Sequence, residues 1–450
     1  MKYLILSIFS CMVFAGIEQA PPAFKHNDSK AVFVDFKNAV YEIEYDYKKA
    51  KVTTKTTIQF TQHQDGHPIF DSVNEPSSVF VDNKKLSASL IDVDNGVTKV
   101  RVVDTPIAKG DHTLVMTTSM DNGGVAFTRS GVSSAFFIKD LSDRKFLEKY
   151  VPSNYEYDQY QMTFKVKIVG SINKYNIFSN GVVTETDKNY FEVKYPEYYT
   201  ASSVYYHLVP IHKFVRLRFK YHSISGREIP VTIYSIARLR NYFFAKKTIK
   251  VLKELERDYG AWPHPALMIY GTKFKGGMEY VGATVTSLVS LGHELQHSYF
   301  AKGIMPANGN SGWMDEAIAS WRDKGHQSTS TVNYSSFNLG NHSVYTRKTD
   351  DNSYEKGRSF IAYLDYQLKA QGKDGMKDFL KSYFDKRKYT TVTTSDFVSD
   401  LKDYSGVDFQ SEFDRYVLGM SMTINSRSPA VEPKNPHHGH IGEKEIKSLL

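Results

Sequence analysis

The chain has 450 residues, 41% apolar and 24% charged, a composition that excludes a disordered protein and allows two or three folded domains. Its formal charge is +8, but the basic residues are scattered and form no arm or stripe, so no nucleic-acid partner is expected. The single cysteine, Cys11, excludes disulfide stapling, and no internal apolar run approaches the roughly 18 residues of a membrane helix.

At the start, Met1-Lys2, the apolar run Tyr3 to Phe14 and the small residue Ala15 read as a signal peptide over 1–15. The mature protein is then expected to be exported, periplasmic or secreted. In a second reading, Ile8-Phe9-Ser10-Cys11 is a weak lipoprotein box, and a lipid on Cys11 would tether the protein to the cell envelope. Residues 30–220 alternate apolar and polar positions, as in Gln161-Met162-Thr163-Phe164-Lys165-Val166, between turn signals such as Asp94-Asn95-Gly96. This predicts an N-terminal antiparallel β domain over 16–225.

Beyond Gly226 the period changes. Ile236, Leu239, Phe243, Ile249, Leu252 and Leu255 predict one long helix ending at Gly260. A strand-like Ala266-Leu267-Met268-Ile269-Tyr270 follows, then Lys275-Gly276-Gly277-Met278-Glu279-Tyr280. Paired glycines would let a peptide approach the backbone, and Glu279 could receive a cation such as a free α-amine. The same stretch also suits an ordinary glycine turn with a solvated glutamate.

The densest signal is His293-Glu294-Leu295-Gln296-His297. On a helix this spacing puts two imidazoles one turn apart on one face, able to share a zinc ion, with Glu294 reaching the attacking water. Separated from His297 by eighteen residues, Glu316 sits in the apolar helical pattern Trp313-Met314-Asp315-Glu316-Ala317. A carboxylate in such a face needs a partner, and it is the natural third ligand of a zinc that keeps its fourth position open. Ser353-Tyr354-Glu355-Lys356-Gly357 then opens another apolar helix, where the Tyr354 hydroxyl could donate to an oxyanion. From Ser421 the periodicity fades, and Pro429, Pro433 and Pro436 lead into His437-His438-Gly439-His440, which reads as a disordered tail over 421–450 or a weak metal-collecting segment.

In this order GGMEY, HELQH, WMDEA and SYEKG resemble the zinc aminopeptidases of the aminopeptidase N family, which includes the bifunctional leukotriene hydrolase. The likeness covers roughly residues 25–420 and extends to Tyr150–Tyr160, where the family closes its N-terminal sheet domain. It implies an α+β multidomain protein, with the β domain followed by a thermolysin-like, mainly helical zinc peptidase domain over 226–420. It also implies one catalytic zinc held by His293, His297 and Glu316, with Glu294 as general base and Tyr354 as oxyanion donor. Gly276, Gly277, Met278 and Glu279 would bind a peptide or protein substrate, and Glu279 would hold its amino terminus. The implied activity is release of N-terminal residues, with an endopeptidase or a catalytically inactive peptide-binding relative as alternatives. Tyr280 departs from the family's asparagine, which bears on the first substrate pocket, and the C-terminal helical domain that roofs the family's cleft is expected to be missing.

Overall fold

The computed structural model describes residues 19–120, 123–137, 146–420 and 448–449. The leader with Cys11 and the histidines of the tail lie outside the described residues. Of the tail only Ser448 and Leu449 are described, and Leu449 is buried against the β core.

The N-terminal part is built of strands, as its alternation predicts. In Asp35–Asp46, Tyr41, Ile43 and Tyr45 point inward while Glu42 and Glu44 stay exposed, the period of two that a half-buried strand requires. This strand pairs with Lys51–Gln62 inside an eight-stranded sheet whose pairs are antiparallel, except where it meets Gln161–Val169 in parallel. A four-stranded sheet that includes Gly131–Ala135 and Tyr206–Pro210 shares its core.

A five-stranded mixed sheet then begins the second domain, in the order Val215–His222, Glu228–Ser235, Leu267–Thr272, Ala283–Ser287, Gly277–Tyr280. Its first two strands form a hairpin around the expected boundary at 225, so the second domain starts earlier than predicted. The sequence near Gly226 marks the tip of that hairpin.

Helix α1 (Arg238–Tyr259) ends at Gly260, whose φ of +102° favours glycine. Its inward face differs from the expected one. Ile236, Leu239 and Phe243 are exposed, while Phe244, Val251, Leu252 and Leu255 are buried. Polar anchors set this rotation: the Asn241 amide donates to the Val215 carbonyl at 2.9 Å, and Glu256 accepts from the Tyr221 hydroxyl at 2.7 Å. Apolar spacing could not reveal anchors that are themselves polar.

Helix α2 spans Leu291–Gln296. The chain turns after His297, and a Cβ on Gly303 would lie 2.6 Å from the Ser298 carbonyl oxygen, so only glycine fits the turn. Helices α3 (Trp313–Asp323), α4 (Lys356–Ala370), α5 (Met376–Arg387), α6 (Thr394–Ser405) and α7 (Gln410–Tyr416) complete the domain. They contribute Trp313, Trp321, Phe360, Phe397 and Phe413 to one core, and a capping box between Thr393 and Asp396 starts α6. None of the described helices is long and apolar enough to cross a membrane.

Candidate active site

Helix α2 presents His293 and His297 one turn apart, with ring centroids 4.8 Å apart. Helix α3 brings Glu316 to the same point: its Oε2 lies 3.2 Å from Nε2 of His293 and 3.6 Å from Nε2 of His297. All three donor atoms fall within 4.8 Å of one another. Tetrahedral zinc with bonds of about 2.0–2.2 Å spaces its ligand atoms about 3.3 Å apart, so this donor set fits zinc in both chemistry and size. His297 and Glu316 are fully buried and His293 is 11% exposed, leaving the approach on the His293 side.

Around these donors lies a supporting layer that sequence patterns did not flag. Asp323, two turns after Glu316 on α3, accepts from His293 Nδ1 at 2.8 Å and so turns Nε2 toward Glu316. Arg322 steadies Asp323 at 3.0 Å and reaches Glu254 of α1 at 2.8 Å. A Cβ on Gly292 would lie 2.6 Å from the Arg322 guanidinium, so glycine before the first histidine lets this arginine lie over α2. Burial alone would depress the pKa of His293, yet Asp323 and Glu316 outweigh it and hold the imidazolium well above the usual histidine range. Asp323 is likewise held below the usual carboxylate range, because His293 and Arg322 overcome its own burial. The i, i+7 spacing of Glu316 and Asp323 was the available sequence signal.

Tyr354 stands just before α4 and donates to Oε1 of Glu316 at 2.7 Å, with its ring stacked near His293 at 6.1 Å. Two features fix it there. A Cβ on Gly357 would lie 2.7 Å from that of Ala317, so glycine lets α4 close on α3. Upstream, Arg347 is buried between Asp71 and Glu148 of the β domain, tying the loop that ends at Tyr354 to the first domain. The general-base candidate Glu294 packs over Gly277, where a Cβ would come within 2.4 Å of its carboxyl carbon. Gly276, with φ +89°, makes the turn into that strand. A cleft of about 490 Å³ is lined by Gly276, Gly277, His293, Glu294 and Tyr354.

No family model and no curated relative matches the sequence. Solved structures do match the fold. An M1 zinc metallopeptidase from Deinococcus radiodurans superposes with a TM-score of 0.61 at 14% identity, covering 90% of this chain and 98% of that one. Yeast LTA4 hydrolase in complex with bestatin gives 0.62 at 14% identity, covering 91% and 72%. Legionella pneumophila aminopeptidase A in complex with aspartic acid gives 0.65 at 16% identity, covering 89% of this chain and 51% of that one. The chain has the M1 zinc aminopeptidase fold.

Within this M1 fold the GGMEY segment is divided by its own strand period. Gly277 faces the cleft, while Met278 and Tyr280 are buried in the β core, with Tyr280 packed 5.0 Å from Tyr205. Met278, expected at the substrate, is a core residue, and Tyr280, expected to alter the first substrate pocket, fills the seam between the domains. The M1 fold also buries Glu279 to 3% exposure, with Oε1 3.5 Å from Nζ of Lys302. Glu279 does not line the cleft as an exposed carboxylate.

Proposed function

We propose that this protein is a zinc-dependent peptidase that hydrolyses peptide bonds at the α2–α3 site. The observation that carries this reading is convergence: His293, His297 and Glu316 bring their donor atoms to one point, and His293 lines a cleft together with Glu294, Tyr354 and the glycine strand. A zinc ion held by His293, His297 and Glu316 would supply Lewis acidity to the scissile carbonyl and acidify water. Glu294 takes the proton from the attacking water and returns it to the leaving amine, a transfer its buried position beside the cleft permits. The Tyr354 hydroxyl donates to the developing oxyanion, exchanging its bond to Glu316 for one to substrate. The strand edge at Gly276–Gly277 leaves room for an extended peptide backbone.

Release of N-terminal residues is the activity the resemblance implies, with Glu279 holding the amine. A second reading, cleavage of internal bonds, is favoured by the contact between Glu279 and Lys302. Export is part of the proposal and rests on the leader-like residues 1–15.

Metal analysis combined with turnover tests the reading. The protein with its tail histidines deleted should hold one zinc, and the His293→Ala/His297→Ala pair none. Glu294→Gln should keep the metal and lose at least about 1,000-fold in kcat. Stoichiometric zinc in the double histidine variant would misplace the site, and full turnover in Glu294→Gln would remove its role as base.

A further inference from the structure

Residues two apart share a strand face, so Glu279 follows Gly277 on the cleft side, about 7 Å farther along. A carboxylate on that face calls for a cation, and the chain itself supplies one. Lys302 arrives from the turn after α2, its Nζ 3.5 Å from Glu279 and 3.3 Å from Oγ of Ser202. Ser202 in turn donates to Oε1 of Glu156, a residue of the β domain. Lys302 is 2% exposed, Glu279 3%, Ser202 0% and Glu156 5%. The lysine is therefore enclosed between the carboxylate of the substrate strand and a polar pair from the other domain.

We propose that Lys302 is a specificity-determining residue. Its ammonium occupies the place beside Glu279 that a free α-amine would need, so the cleft takes internal segments or N-blocked peptides in preference to free amino termini. An incoming amine would have to displace a buried ion pair or sit within a few ångströms of a like charge with little water between them. A blocked or internal segment carries no such charge and meets neither obstacle. The inference rests on the zinc-peptidase reading and sharpens its substrate class.

The test is a matched pair of pentapeptides, free and N-acetylated, cut by the zinc-loaded full chain. The wild type should cut the acetylated peptide at least as well as the free one. Lys302→Met removes the internal ammonium and should shift kcat/KM toward the free peptide by about tenfold or more, because Glu279 then gains a charge-assisted bond to its amine. Adding Glu279→Gln to that variant should return the ratio to the wild-type value. Such a change of ratio is not expected if the lysine merely ties the two domains together. A wild-type preference of about tenfold for the free peptide, abolished in Glu279→Gln, overturns the proposal, and so does an unchanged ratio in folded Lys302→Met. If Lys302→Met does not fold, the wild-type and Glu279→Gln ratios decide alone. Binding of both peptides to the Glu294→Gln protein separates the two readings. Tighter binding of the acetylated peptide without wild-type turnover leaves the inference standing and removes the peptidase reading, equal or weaker binding of it overturns the inference, and absence of binding and turnover overturns both.

Discussion

Two carboxylate clusters lie a short distance apart in this fold, and each is completed by positive charge in a different way. At the α2–α3 site, Glu316 and Asp323 face two histidines, and the donors converge on a point open to the cleft on the His293 side. At the other, Glu279 and the Ser202–Glu156 pair surround a lysine of the same chain, and no member is more than 5% exposed. The first arrangement has the donor set of a zinc site, whereas in the second the cation is a lysine of the same chain. Acidic side chains near a cleft therefore have to be read together with the cation that faces them, because burying a carboxylate unpaired costs several kcal/mol.

Three substitutions at the open cluster probe this difference. The largest effect is expected for Tyr354→Phe. It removes one oxyanion donor and should lower kcat by roughly 100- to 1,000-fold with little change in KM, as judged by steady-state kinetics. A loss confined to KM would place Tyr354 in binding only. Next comes Gly277→Ala, where the new methyl would press on the Glu294 carboxyl group. The glutamate's end is flexible, so melting temperature should hardly move, but a displaced base should reduce kcat on the order of 100-fold. A large drop in stability with intact kcat would show that the strand yields instead. Smallest is Asp323→Asn, which weakens the orientation of His293. Zinc affinity should fall by roughly 10- to 100-fold in a chelator competition, with turnover recovered at saturating metal. Unchanged affinity would mean that Arg322 and Asp323 serve only the packing of α1 against α3. The closed cluster should be indifferent to all three, and the free-versus-acetylated ratio is the measurement that reports on it.

Much of the His293, His297 and Glu316 cluster was legible in one dimension. The spacing of His293 and His297 is a property of any helical turn, so the pair could be assigned without tertiary knowledge. Glu316 was legible because a charged residue inside an apolar helical stripe demands a partner. Alternation along Asp35–Asp46 and the stop at Gly260 were equally local, and both are observed. What failed locally failed for a common reason. The exposed Leu239 and Phe243 of α1 depend on a group far away in sequence, because the Asn241 amide finds the Val215 carbonyl.

The same division runs through the substrate segment. Sequence alone determined that the paired glycines Gly276 and Gly277 are followed two residues later by a glutamate, and that the HELQH pattern lies just beyond. Only the tertiary structure decided that Met278 and Tyr280 belong to the core, and that Lys302 closes on Glu279. The physical reason is that strand and helix periods tell which residues share a face, whereas the charge that meets a buried carboxylate is chosen by packing between elements and domains. Lys302 is twenty-three residues from Glu279, and Glu156 comes from another domain, so no local period links the three.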